Sequence, residues 1–449
     1  MKTFIAILAG KLVKLFCRVV RRGGTAKPGK IALKICPDLL EKLGRGVNCI
    51  VVTGSNGKTT SCRIVEKGLE EAGLDYFANR SGANLIEGIA TDFIVHSSLG
   101  GRCRKSWAVL ETDEAASREV CRQLQPKVIF VTNIFVDQVD RFGGVEFTRD
   151  CILTAANNAP GAVLCLNADD SVSASIAKLT GNEVRFYGIE GSAVEGREPG
   201  GYVDVEDCLF CKEKLNYKYR TFSHLGGFSC PKCGFSRPAA GYSVERIVKE
   251  TLTGTEVSCN CGELQINLPA MYNIYNALGT MAALEAAGIG RETAVKAVAG
   301  FKGSFGRMEK LPLGKSGATM ILVKNGAGCD QVIDFLKKSE DPFVLALCLN
   351  NNISDGVDIS WIDSVDFEAL NSCPVGKIYV SGMRAEEMRS RLVKAGLEEK
   401  LETVTEVPEL ITKLNGSEEP VIILPTYTAM METRKEIVNR FGGTQFWDL

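Results

Sequence analysis

Two short constellations in this sequence have the residue types and spacing for chemistry. The first is "NCIVVTGSNGKTTS", Asn48 to Ser61, an apolar run that breaks into glycines, a lysine and two threonines. Gly54 and Gly57 let backbone N–H groups converge on an anion, Lys58 adds a point charge, and Thr59 or Thr60 offers a hydroxyl to Mg²⁺. Only two residues separate the glycines, and Val52 stands where the usual Gly-x4-Gly-Lys-Ser/Thr loop has its first glycine. A glycine turn that merely precedes a lysine is the plain alternative. The strand-like run before the loop and the helical pattern after it (Ile64, Leu69, Ala72) favour an ATP site. The second constellation is Cys208-Leu-Phe-Cys211, eighteen residues, then Cys230-Pro-Lys-Cys233. Two Cys-x-x-Cys knuckles at this separation supply four thiolates to a tetrahedral Zn²⁺ with no open position, a structural rather than catalytic metal. A redox pair or unconnected buried cysteines explain two knuckles in one insertion less well. Cys259 and Cys261 have the wrong spacing for a knuckle and read as strand cysteines of the same small ribbon.

These residues need a scaffold. From about 46 to 190, apolar runs ("CIVVTG", "WAVLETDE", "KVIFVTN", "AVLCLNADD", "EVRFYGI") alternate with helical patterns, which predicts an α/β fold with a mostly parallel sheet covered by helices. Ligands on such sheets sit beyond the C-terminal strand ends, so Glu111, Thr132, Asn133, Asn167 and Asp169 are all placed to face the phosphate loop. Residues 1–45 form a helix and lead-in, 46–300 the ATPase domain with a zinc-ribbon insertion at 200–262, 301–312 a glycine-rich hinge, and 313–449 a smaller C-terminal α/β domain.

Composition removes some function classes. The 449 residues carry 53 Lys+Arg against 54 Asp+Glu, a formal charge of −1, which gives no bulk attraction to nucleic acid. Seventeen cysteines scattered through apolar segments fit a reducing cytoplasm better than a secreted disulfide framework. The N-terminal stretch has lysines within its apolar run and no uninterrupted span of about 18 apolar residues, so it is neither a signal peptide nor a membrane span. On a helical wheel Ile5, Leu8, Leu12, Leu15, Phe16 and Val19 share one face, and Lys11, Lys14, Arg18 and Arg21 the other. Such a helix either packs on the body of the protein or rests on the inner, anionic membrane face.

Six segments, "VTGSNGKTT", "LETDEA", "TNIFVDQVDRFG", "LNADD", "YNIYNALGTMAA" and "GSFGRMEK", occur in the order found in the Mur ligase family, which the chain resembles over nearly its whole length. These enzymes use ATP to join a carboxylate to an amine. The chain looks most like the branch that amidates lipid II. That branch carries a four-cysteine ribbon inside its ATPase domain and lacks the usual N-terminal UDP-substrate domain, matching the quartet and a loop that begins near residue 50. The resemblance implies that Gly54, Asn56, Gly57, Lys58, Thr59 and Thr60 hold the ATP phosphates, with Thr59 and Glu111 as Mg²⁺ ligands. It further implies that Asn276 meets the adenine and that Arg307 reaches back to the nucleotide. From the residues alone, Glu111 also reads as a solvated strand end, Asn276 as a helix-surface amide and Arg307 as half of a hinge ion pair. The implied reaction converts the α-carboxylate of D-glutamate in the peptidoglycan stem peptide to D-isoglutamine through an acyl phosphate, with ammonia as nucleophile.

Making ammonia from glutamine takes a cysteine nucleophile and a histidine base. This chain has only His96 and His224 and no Gly-x-Cys-x-Gly elbow, so a separate glutaminase partner is expected, and the family resemblance implies that it is a subunit like GatD. The family lends that partner an aspartate from the C-terminal domain; Asp355 is the first candidate and Asp358 the second, although Asp-Gly is also an ordinary turn. Two positions depart from the family pattern: Gly326 stands for a proline and Gly144 for an acid. An amino-acid-adding ligase of the muramyl or folylpolyglutamate type is the rival within enzymes, and a zinc-ribbon ATPase acting on nucleic acid the rival outside the family. Neither explains ribbon, neutral charge and motif order together.

Overall fold

The computed structural model describes residues 1–19, 24–79, 83–136, 144–197, 203–251, 254–301, 303 and 307–443. The sheet that positions the phosphate loop has nine strands: β1 (Asn48–Thr53), β2 (Tyr76–Ala78), β3 (Trp107–Glu111), β4 (Val128–Val131), β5 (Val163–Asn167), β6 (Val184–Ile189), β9 (Tyr242–Thr251), β10 (Gly254–Cys259) and β11 (Gly262–Ile266). Between β6 and β9 the chain leaves to make a separate hairpin, β7 (Asn216–Phe222) and β8 (Leu225–Ser229). The sheet order is β11-β10-β9-β6-β5-β4-β1-β3-β2, parallel throughout except for the antiparallel β9–β10–β11 meander. Strands such as "VIFV" (β4) are buried at every position because helices cover both faces, which is why they read as continuous apolar runs rather than alternating ones. β1 lies between β3 on one side and β4 on the other, so the loop that follows it opens at the switch point of the sheet, where ligands bind.

Residues from 242 to 262, expected in the inserted ribbon, instead belong to strands β9 to β11 that extend the main sheet, and Cys259 and Cys261 sit at the β10–β11 turn, not in the ribbon. The reason is a parallel pairing of β9 with β6 across the whole insertion (Tyr187 with Tyr242, Ile189 with Val244), which local composition does not reveal.

A second sheet is built from β12 (Arg307–Leu311), β13 (Ala318–Ile321), β14 (Phe343–Cys348), β15 (Val375–Ser381), β16 (Leu401–Thr403) and β17 (Val421–Pro425), in the order β12-β13-β17-β14-β15-β16. It has its own buried clusters on its two faces. The two halves meet at the phosphate loop, where Asn325 Nδ2 donates to Asn56 Oδ1 at 3.2 Å, and at the Lys338–Glu250 ion pair, 2.6 Å.

Of the two outcomes open to the N-terminal helix (Lys2–Val19), the structure shows packing on the body, but not by the large apolar face. Ala6, Ile7, Gly10 and Cys17 are buried, while Phe4, Ile5, Leu8, Leu12, Leu15, Phe16 and Val19 are exposed. Ile7 is the one bulky side chain buried in this contact, and Ala6 and Gly10 beside it allow close approach: a Cβ added at Gly10 would stand 2.9 Å from Ile94 Cδ1.

Candidate functional site

β1 ends at Thr53, and the backbone then takes two conformations that favour glycine, φ +119° at Gly54 and +85° at Gly57, before the helix Lys58–Glu71 begins. Space imposes the same choice. A Cβ on Gly54 would lie 2.5 Å from Thr132 Oγ1, and one on Gly57 would lie 2.2 Å from Asn276 Oδ1. The loop after β4 clamps the turn: Asn56 N donates to Asn133 Oδ1 (2.9 Å), Asn133 Nδ2 to Asn56 O (3.1 Å), and Phe135 N to Ser55 Oγ (2.9 Å). Thr132 and Asn133 thus face the loop as expected. Asn167 and Asp169 do not. Asn167 Oδ1 accepts from Asp169 N, and Asp169 is turned toward Arg237 Nε (2.6 Å) and Tyr275 Oη (2.6 Å), because a fully buried carboxylate needs a charge partner and β5 lies two strands from β1.

Lys58 reaches back to Gly54 O and pairs with Glu114 Oε1 at 2.7 Å, both side chains 12% exposed. Burial works against the Glu114 charge, but Lys58 beside it prevails and holds the carboxyl below its usual range. Glu114 was missed in the sequence although it lies in the quoted "LETDEA". Only the helix start fixed by Asp113, whose Oδ1 accepts from Ala115 N and Ala116 N, turns it toward the lysine. Glu111, at the end of β3, is held through its backbone by Asn79 and shares a small cleft with Thr59, Arg63 and Glu66. Thr59 hydroxyl and Glu111 carboxylate are hard oxygen donors, the set that suits Mg²⁺. Thr60 lies on the opposite side, lining a cleft between the two halves of the chain.

Asn56, Gly57 and Asn276 line that cavity together with Phe135, Phe222, Lys324 and Gln331. Asn276 is no surface amide: it is 2% exposed, lies over Gly57, and its Nδ2 donates to Asn273 Oδ1 at 3.2 Å. Arg307 begins β12, and its side chain lies outside the described residues, as do 137–143 of "TNIFVDQVDRFG" and 304–306 of the hinge. Asp355 is 6% exposed; its Oδ1 accepts from Thr428 N (2.6 Å), and its Oδ2 from Asn352 N (3.0 Å) and Thr428 Oγ1 (2.6 Å), tying its loop to the start of the helix Tyr427–Phe441. Asp358 is exposed and bonded only locally, to Ser360. Tyr427 lies between the halves: burial, with Glu111 and Asp355 adding to it, raises its phenol above the usual range. Gly326 opens the helix Gly326–Leu336 where a Cβ would meet Ser364 Oγ at 2.5 Å, and Gly144 opens another helix at φ +91°, so both departures from the family pattern have local steric or conformational reasons.

The cysteine quartet is assembled. All four Sγ atoms lie within 4.8 Å of one another, with Cys208–Cys233 at 3.5 Å and Cys211–Cys230 at 3.4 Å. Four Zn–S bonds of about 2.3 Å need S···S edges of about 3.8 Å, so this donor set fits a tetrahedral metal. Backbone N–H groups of Cys233 and Lys232 lower the Cys230 thiol to about 6 despite burial, favouring a thiolate there.

A phosphate loop at a switch point, faced by a second α/β half across a deep cavity, defines an ATP-dependent ligase of the Mur type. Residues 52–202 match the Mur ligase middle domain and residues 322–430 the MurT ligase C-terminal domain. Solved structures agree in fold: a pseudomurein peptide ligase type C from Methanothermus fervidus (TM-score 0.64, 21% identity, covering 88% of this chain and 79% of that one) and MurF from Acinetobacter baumannii (0.66, 15%, 91% and 80%). Curated relatives are more specific. The MurT subunit of the glutamine-hydrolyzing lipid II isoglutaminyl synthase of Streptococcus pneumoniae is 33% identical over 444 residues, 98% of each chain, and that of Staphylococcus aureus (strain COL) 30% over 446 residues, 99% of this chain and 100% of the other. The chain belongs to the MurT family.

Proposed function

We propose that this protein amidates lipid II, converting the α-carboxylate of D-glutamate in the stem peptide to D-isoglutamine at the expense of ATP and with ammonia from a GatD-like glutaminase. The observation that carries the reading is end-to-end similarity to synthase subunits in a chain whose own histidines are committed elsewhere. His224 is fully buried on Asp170, and His96 stacks on Phe77 with ring centroids 4.7 Å apart. The carboxylate oxygen attacks the γ-phosphorus of ATP, and the bond to the ADP oxygen breaks with its electron pair leaving on ADP. The ammonia lone pair then adds to the acyl carbon, and the C–O bond to phosphate breaks from the tetrahedral intermediate, the departing phosphate taking its electron pair and the proton that nitrogen gives up. Gly54, Asn56, Gly57 and Thr60 cradle the phosphates, Lys58 turns from Glu114 to the transferred group, and Asn276 and Arg307 meet the nucleotide. Mg²⁺, held by Thr59 and Glu111, would neutralise phosphate charge. Zn²⁺, held by the four cysteines, would pin the base of the hairpin. An amino-acid-adding ligase would need no ammonia source.

Asp355 is the aspartate lent to the glutaminase. Its oxygens already accept three hydrogen bonds, and a carboxylate has room for one more. Around it Ile353 and Val357 are exposed, and so is Met383, which touches Asn352, a small apolar surface of the kind partner subunits cover. Asp355→Asn is expected to lower glutamine-dependent amidation about 100-fold or more while leaving ammonium-dependent amidation within about threefold. Equal loss with both nitrogen sources would reassign Asp355 to structure, and loss confined to glutamine in Asp358→Asn alone would move the role there.

The exposed apolar face of the N-terminal helix serves the same substrate. Residues 1–36 hold nine Lys and Arg and no acid, and the exposed Phe4, Leu8, Leu12, Leu15 and Phe16 fall on one stripe, an arrangement that suits an anionic lipid surface at the inner leaflet. No described helix is long and apolar enough to cross a membrane. Full-length protein is expected to sediment with phosphatidylglycerol vesicles, and Leu12→Glu/Phe16→Glu to reduce the bound fraction about tenfold. Equal sedimentation of the variant would remove this contact.

A further inference from the structure

The ribbon hairpin does more than protrude. Its base carries the cysteine knuckles, with Cys211 shortly before β7 and Cys230 directly after β8, and its tip, Phe222 to Leu225, is buried beside the nucleotide cavity. Three independent contacts hold the tip there. His224 Nε2 donates to Asp170 Oδ1 at 3.2 Å, and the other oxygen of Asp170 accepts from Ile134 N at 2.7 Å. The Phe135 ring stacks on Phe222 (centroids 5.7 Å, 6° between planes) and meets the His224 ring edge-on (4.8 Å). Thr221 Oγ1 bonds the hydroxyl of Tyr275, the neighbour of Asn276, at 2.8 Å.

Each contact ends one step from the phosphate loop. Ile134 and Phe135 continue directly from Asn133, which clamps Asn56, and Phe135 also exchanges hydrogen bonds with Ser55. Asn276 lies on Gly57. Phe222 itself forms part of the cavity wall. We infer that the hairpin tip is a working part of the nucleotide site: His224 is a positioning residue that fixes the 133–135 loop through Asp170, and Phe222 is a nucleotide-contacting side chain supplied by the ribbon. The ribbon thereby sets ATP affinity. A hairpin serving stability alone would need neither an aromatic ring in the cavity wall nor a buried histidine on a carboxylate that bonds the loop at Ile134.

This inference rests on the reading of the cavity as an ATP site, and the experiment separates the two. Binding of ATP with Mg²⁺ is measured by calorimetry on the full chain for the wild type and for His224→Ala, His224→Gln and Phe222→Leu, alongside Tm and steady-state kinetics with the glutaminase. His224→Ala is expected to raise Kd and KM for ATP about tenfold, with kcat at saturating ATP within about threefold. His224→Gln, which keeps a donor toward Asp170, should recover most of the loss. Phe222→Leu, a volume-conserving change that removes the ring, should weaken ATP about threefold or more and decides the matter if His224→Ala does not fold. Lower Tm with unchanged Kd in the variants would overturn the inference and leave the ATP reading intact; a wild-type chain that binds no ATP would overturn both.

Discussion

Lys58→Met is expected to lower amidation about 10²–10³-fold, with ammonium as well as with glutamine, because it removes a preorganised cation from the place where phosphoryl charge develops. Before ATP arrives the lysine is held at Gly54 O and Glu114, so the same substitution leaves the Glu114 carboxylate, 12% exposed, without the ammonium that pairs with it directly. Stability and catalysis can be separated. Lys58→Met/Glu114→Gln should recover Tm relative to Lys58→Met, since no unpaired charge remains, yet recover no activity. The pair also has a pH signature. The Glu114 carboxyl is lowered by folding, so its contribution to stability is present above the unfolded carboxylate range and is lost as pH falls through the lowered folded value. The double variant should lose that dependence. Amidation by Lys58→Met within about tenfold of the wild type would show that the lysine does not meet the phosphates.

Gly57→Ala is expected to raise Kd for ATP at least about tenfold and to reduce activity in step. Two costs coincide there. The backbone sits at φ +85°, where a Cβ costs about 1 kcal/mol, and the added carbon would lie 2.2 Å from Asn276 Oδ1, inside any allowed contact. Asn276 is fixed by Asn273 and 2% exposed, so it cannot simply swing aside, and the phosphate loop must shift instead. Gly46 is the control. It has a similar φ of +79° with nothing within 4 Å, so Gly46→Ala should lose only the conformational part and keep wild-type ATP affinity. Equal behaviour of the two alanine variants would mean that the contact with Asn276 carries no weight.

The sequence made the parts with short-range logic legible. Gly54, Gly57, Lys58 and Thr59 are read within six residues, and four cysteines in two knuckles specify their own cluster. Contacts set by long-range packing were not legible. The partner of Lys58 depends on where the helix Glu114–Leu124 starts, and His224 meets Asp170 across 54 residues of chain. The N-terminal helix shows the limit of a helical wheel. Its amphipathic pattern was visible, but whether the bulky or the small face meets the body is decided by close approach at Gly10, a property of the facing surface. Likewise β9–β11 share the polar, cysteine-bearing composition of the ribbon yet join the main sheet, because β6 leaves an edge open for pairing.

The central claim is tested most directly by mass spectrometry of a lipid-linked muropeptide incubated with ATP, Mg²⁺ and this chain. Glutamine plus a GatD-like glutaminase supplies nitrogen in one arm, glutamine without the partner in a second, and ammonium alone in a third. The expected result is conversion of one D-glutamate carboxyl to carboxamide in the first and third arms, with ADP and phosphate formed in step and no product in the second. Ligation of a free amino acid in place of amidation, or unchanged muropeptide in the ammonium arm while ATP is hydrolysed, would contradict the account.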